Sequence, residues 1–175
     1  MTRGNSILWP NSGKKRPDFA IKPAEGQESV WDYPRPPALE SCRARIVVRC
    51  GDQIIADSVN TIRVLETASP PTIYIPPEDI DFAFLTDTPA TSHCEWKGRA
   101  NYYALATGGI EIAWEYRAPT PMFSRIKNFL CFYPGRVECF LADEPVRPQA
   151  GEFYGGWVTN NIVGPFKGDP GTGHW

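Results

Sequence analysis

Proline sets the limits on what this chain can fold into. Eighteen of its 175 residues are proline, about twice the usual ~5 %. Each removes a backbone donor and fixes one dihedral, so long helices are disfavoured. Aromatic residues make up 13 % of the chain, six of them tryptophan. Large flat side chains between frequent corners suit short pleated strands. A mainly β fold is expected, at a length that fits one domain.

The apolar pattern has a period of two over residues 41–142. Ala44, Ile46, Val48 and Cys50 share one strand face, and Arg43, Arg45 and Arg49 the other. Gly51-Asp52 turns the chain into a second strand, Gln53 to Asp57, and a third runs from Thr61 to Glu66. Pro70-Pro71 and Pro76-Pro77 bracket a short strand, Thr72 to Ile75. Pro77-Glu78-Asp79 then starts a brief helical turn, with acids at its positive dipole end. Gly108-Gly109 predicts a two-residue hairpin between Asn101–Thr107 and Ile110–Tyr116. That register would set Tyr103, Trp114, Tyr116, Leu105 and Ile112 on one face. One short helix is expected over Pro119–Asn128, with Met122, Ile126 and Phe129 on its apolar stripe. A further hairpin, Phe129–Tyr133 with Val137–Leu141, would turn at Pro134-Gly135-Arg136.

Two flanks complete the chain. Residues 1–40 read as a Pro-rich arm with a basic run, Lys14-Lys15-Arg16, taken here as a solvated face. Trp9, Phe19, Val30, Trp31 and Tyr33 give that arm too many apolar groups for a free tail, so it should pack on the domain. Residues 143–175 are rich in Gly, Pro and aromatic side chains and read as a second packed arm.

Several function classes are disfavoured. The net charge is −2, which argues against wholesale attraction to nucleic acid or to an anionic membrane. No apolar run approaches the ~20 residues of a membrane span, and the first twenty residues lack the apolar centre of a secretory signal. The five cysteines (Cys42, Cys50, Cys94, Cys131, Cys139) form no C-x-x-C pair and read as buried, reduced thiols of a cytoplasmic protein. With only His93 and His174, a multi-histidine metal site is excluded. Phosphate-binding, nucleophile-elbow and zinc-protease motifs are absent. No cofactor is expected.

Three features remain that chemistry could use, each with a plainer reading beside it. Glu66 ends a strand on the face of Ile62 and Val64: a solvated terminus, or a buried acid that needs a donor or cation. In Cys94-Glu95-Trp96-Lys97-Gly98, Lys97 precedes a glycine that permits close approach; in an extended segment Glu95 and Lys97 would share one face, and Cys94 and Trp96 the other. An exposed Glu–Lys pair would be worth less than ~1 kcal/mol. Tyr103, Trp114 and Tyr116 form either ordinary core or a stacking wall for a sugar, base or cation. Asp79 with Asp81 reads as first-turn helix acid rather than a magnesium site.

The strings Arg63-Val64-Leu65-Glu66-Thr67, Tyr74-Ile75-Pro76-Pro77-Glu78-Asp79 and Cys94-Glu95-Trp96-Lys97-Gly98 resemble the bacterial family labelled domain of unknown function 427, also filed as nucleotidyltransferase-like family 9. So do Trp114-x-Tyr116 followed by Pro119, and Phe132-Tyr133-Pro134. In the flanks, Glu28 to Pro36 and Phe153-Tyr154-Gly155-Gly156-Trp157 are similar to a long-armed subgroup. The resemblance implies a small antiparallel two-sheet domain like the β-tent folds. Paired zinc cysteines of some β-tent relatives are missing here, so no zinc is expected. The spaced acids of nucleotidyl transfer are missing too. Its recurrent positions include Glu66, Tyr74, Asp79, Cys94, Lys97, Tyr103, Trp114 and Tyr116, which become the candidate ligand-binding set. The expectation is a monomer or weak homodimer that binds an unidentified small polar or aromatic molecule. The alternatives are a small enzyme using Glu66 as general acid or base, with Lys97 and Cys94 as further candidates, and a protein-interaction module.

Overall fold

The structure is a computed structural model that describes residues 9–175. The strands are short. In chain order they are β1 (Glu28–Ser29), β2 (Ala38–Cys42), β3 (Ile46–Cys50), β4 (Gln53–Ser58) and β5 (Thr61–Glu66). Next come β6 (Ser69–Ile75), β7 (Leu85–Cys94), β8 (Gly98–Leu105), β9 (Glu111–Glu115) and β10 (Leu130–Phe132). The last are β11 (Glu138–Leu141), β12 (Glu144–Pro145), β13 (Arg147–Pro148), β14 (Trp157–Val158) and β15 (Ile162–Val163). Two antiparallel sheets dominate: seven strands in the order β2-β5-β6-β10-β9-β8-β7, and four in the order β12-β11-β3-β4. Among the described residues, no helix is long and apolar enough to cross a membrane.

Alternation along the strands builds two apolar layers on the large sheet. Ile73 and Ile75 of β6 and Leu130 and Phe132 of β10 join Ile46, Val48 and Ile55 of the small sheet in a shared core. Burying each such side chain contributes about 1.5–3 kcal/mol. Tyr74 and Cys131, the intervening residues, point the other way. With Ile62, Val64, Trp114, Tyr116 and Tyr133 they make a second cluster on the outer face, where Phe123 and Ile126 cover part of it. A third cluster joins Val30, Trp31 and Tyr33 to Leu65, Ile162, Phe166 and Trp175. Trp31 anchors that junction through its indole N–H, which donates to the Pro165 carbonyl at 3.0 Å.

Several local expectations are corrected. The Gly-Gly hairpin is not a two-residue turn: β8 stops at Leu105 and β9 starts at Glu111. Tyr102 pairs with Trp114, and Tyr103 with Ala113, across a bulge at Tyr103/Ala104. The Gly108 N–H donates to the Leu105 carbonyl at 2.8 Å, closing a turn on β8 before β9 begins. Slipping one residue exchanges the faces of Tyr102 and Tyr103.

The segment 121–126 is a kinked 3-10 helix, Pro121–Ile126, rather than an α-helix. It buries Phe123 and Ile126, the i, i+3 pair of a three-residue period, and leaves Met122 61 % exposed. The expected Phe129–Leu141 hairpin does not form either. β10 pairs with β6 and β9, whereas β11 pairs with β3 and β12, so the 134–136 turn carries the chain from one sheet to the other. β7 has no apolar alternation to betray it. It is an edge strand, polar and bulged between Asp87 and Thr91, with Pro89 in the irregular stretch. A bulge between β3 and β4 leaves Ile55 of β4 as the extra residue opposite Val48 and Arg49, and Cys50, at the end of β3, is exposed rather than buried.

Candidate functional site

The outer face of the large sheet supplies the floor of a cleft of about 410 Å³. Tyr74 of β6 lies beneath it, fully buried, and its hydroxyl accepts a hydrogen bond from the Trp114 indole N–H at 3.2 Å. Their rings meet edge to face at 6.2 Å, and Trp114 also packs 4.5 Å from Tyr133. Burial holds the phenols of Tyr74, Tyr116 and Tyr133 above the ordinary tyrosine range. Burial likewise raises the Cys131 thiol, which stays protonated and unreactive.

One wall is a tight turn. Cys94 of β7 pairs with Gly98 of β8, so Glu95, Trp96 and Lys97 form a three-residue loop and not the extended segment expected. Gly98 has φ +98°, a conformation that favours glycine over any residue with a side chain. The loop is tied down by Thr120: its hydroxyl donates to the Trp96 carbonyl at 2.6 Å, and its N–H to the Lys97 carbonyl at 3.2 Å. Folding back in this way buries Lys97, which is 8 % exposed. Its ammonium lies 5.8 Å from the Tyr116 ring centre and 5.7 Å from that of Phe123.

The opposite chemistry sits at the end of β5. A Glu66 carboxylate oxygen lies 3.3 Å from Nε of Arg35, whose side chain is almost fully enclosed. Arg35 also donates to the Thr67 carbonyl at 2.8 Å. The guanidinium stacks over Trp9 at 4.4 Å, and the Lys167 ammonium lies 4.7 Å from the same ring. Burial, then the nearby Arg35 charge, pull the Lys167 ammonium below the ordinary lysine range, against the opposing pull of Glu66 and Glu95. Residues 149–156 close the remaining side. Gln149 donates to the Lys167 carbonyl at 2.5 Å and accepts from the Gly156 N–H at 3.1 Å.

Six of the eight residues singled out from sequence line this one cleft: Glu66, Tyr74, Cys94, Lys97, Trp114 and Tyr116. Glu66 and Lys97 do not form an ion pair with each other; Glu66 takes Arg35 instead. The other two lie elsewhere. Tyr103 faces away and donates to the Glu115 carboxylate at 2.8 Å, a carboxylate that also holds Arg117 at 2.6 Å. Asp79 accepts from the Ser58 hydroxyl at 2.5 Å, which ties its 3-10 turn to β4. Arg35, Lys167 and Tyr102 were not in the predicted set. Tyr102 was hidden by the register slip. Arg35 and Lys167 come from irregular flanks in which no period assigns a face. The basic run is a surface feature, with Arg16 paired to Asp32 at 2.6 Å.

Fold and site together define a mainly β, two-sheet domain whose larger sheet carries an aromatic-floored cleft closed by flanking chain. A family model described as a domain of unknown function (DUF427) matches residues 38–143, and the chain belongs to that family. A search of the curated proteins finds no match.

Proposed function

We propose that the cleft binds a small molecule with a flat or polyhydroxylated body, seated above the buried aromatic floor and against the half-buried rings of Trp96 and Tyr102. The observation that carries this reading is convergence. An acid, an ammonium and several aromatic rings from widely separated stretches border one hollow of about 410 Å³, within the ~300–1,000 Å³ range of small-ligand sites. A core that needed only to be apolar would not leave a lysine and a glutamate at its edge. Glu66 serves as a hydrogen-bond acceptor held in place by Arg35. Trp96, half-buried on the tight turn, offers a further ring.

Thermal unfolding against a panel of sugars, nucleotides and pigment-like aromatic metabolites tests the proposal. A ligand at 100-fold excess over Kd adds ~2.7 kcal/mol, roughly 5–10 °C for a chain of this size. The shift should vanish in Trp96→Ala, a change on the turn and away from the sheet core. A broad panel without any shift would defeat the proposal.

A further inference from the structure

We infer that the ligand of this cleft carries an anionic group, a carboxylate or a phosphate, and that Lys97 is its counter-ion. The inference rests on the ligand-binding reading above and adds the charge of the ligand to it. Lys97 is the buried cation of this cleft without a committed partner. It is 8 % exposed, and among the described residues no carboxylate comes within ion-pair distance of it. It makes no side-chain hydrogen bond to them either. Its neighbours are the faces of Tyr116 and Phe123, at 5.8 and 5.7 Å, which offset part of the desolvation of an ammonium and supply no counter-charge.

Two of the other charges of the cleft are already engaged. Glu66 faces Arg35 at 3.3 Å, and Lys167 donates to the Trp175 backbone oxygen at 2.9 Å. Glu95, two residues before Lys97, is exposed at the rim and makes no ion pair among the described residues. Two acids, Glu66 and Glu95, and two lysines, Lys97 and Lys167, line the cleft; Arg35 neutralises Glu66, which leaves the enclosed ammonium of Lys97 without a matching charge. A cationic ligand would meet that ammonium unscreened. An anionic one completes it with a charge-assisted hydrogen bond in a water-poor setting, where such bonds are strongest. The turn that carries Lys97 is pinned twice by Thr120, so the ammonium is positioned before the ligand arrives.

Matched probes read the charge directly. Indole-3-propionate is compared with indole-3-propionamide, and phenyl phosphate with phenol, by calorimetric titration of the full chain. The expected result is at least tenfold tighter binding of the charged member of one pair, with the pair identifying carboxylate or phosphate as the preferred group. The preference should shrink as salt is raised, disappear in Lys97→Met and survive in Lys97→Arg. Equal binding of charged and neutral members would overturn the inference and leave the cleft reading intact. So would a preference that persists in Lys97→Met. If no probe binds at millimolar concentration, the cleft reading falls and the inference with it. Lys97→Met also gives a readout without ligand. Because it keeps the length and apolar packing of the side chain, its Tm should equal or exceed that of the parent; a marked loss would reveal a partner for the ammonium in the free protein and overturn the assignment.

Discussion

Gly155 lies against the six-membered ring of Trp114, so close that a Cβ on it would sit 2.2 Å from Cη2 and 2.6 Å from Cζ3 of the indole. The flank that follows β13 is therefore fitted to the aromatic floor of the cleft with no room for a methyl group. Gly155→Ala must lift the flank or tilt the indole. The expected cost is about 1–3 kcal/mol, accompanied by a red shift of tryptophan fluorescence as Trp114 gains water. Gly173→Ala is the matched reference, since nothing lies within 4 Å of its Cβ position, and it should change stability by less than about 0.5 kcal/mol. Equal melting of the two variants would refute the close fit.

The pairing of Arg35 with Glu66 gives a second expectation. Arg35 is enclosed and bridges the Glu66 carboxylate and the Thr67 carbonyl. Arg35→Ala leaves both acceptors without it and should cost roughly 3 kcal/mol. Arg35→Lys should recover only part of this, because an ammonium cannot reproduce the planar fork. Urea unfolding would show the loss as a lower midpoint at constant slope. A midpoint unchanged in Arg35→Ala would mean that the flank is not fastened at this point.

How much of this was legible beforehand depended on periodicity. Glu66 could be placed because Ile62, Val64 and Glu66 alternate along an unbroken stretch, and β5 runs over the residues expected, Thr61–Glu66. Tyr103 could not, because the register with β9 shifts between Tyr103 and Ala104 and no sequence signal marks the early turn closed by the Gly108 N–H on the Leu105 carbonyl. Lys97 was found for a partly mistaken reason. The glycine after it signalled close approach, whereas what that glycine provides is the left-handed corner that folds the lysine inward. The flanks were opaque: their partners are set by long-range contacts such as Trp31 with Pro165, which no local pattern encodes.

The short helical segment allows a sharp comparison between neighbours. Phe123 is 1 % exposed and Met122 61 %. Phe123→Ala should cost about 3–5 kcal/mol, while Met122→Ala should stay within about 0.5 kcal/mol. The opposite ranking, measured by chemical denaturation, would restore the α-helical stripe through Met122, Ile126 and Phe129.

Alkaline titration should report the enclosed phenols. Tyr33, Tyr74, Tyr116 and Tyr133 are all held above the ordinary value of 10.0, chiefly by burial. The folded chain then keeps protons that the unfolded chain gives up, so stability from these groups is fully present below pH ~10 and falls as pH rises beyond it. Phenolate absorbance near 295 nm should therefore show a late, steep component coincident with loss of circular dichroism. Smooth ionisation of all seven tyrosines around pH 10 with the fold intact would contradict the burial described.

The cleft is assembled from two parts of a single chain. Its floor and its tight turn lie inside the stretch that defines the family, residues 38–143, but Trp9, Arg35, Gly155 and Lys167 all lie outside it. A cousin that kept the sheet and exchanged its flanks would keep the platform and lose the enclosure. Guilt by association therefore has a short reach here: a ligand discovered for one such cousin transfers to another only if the borrowed walls match as well.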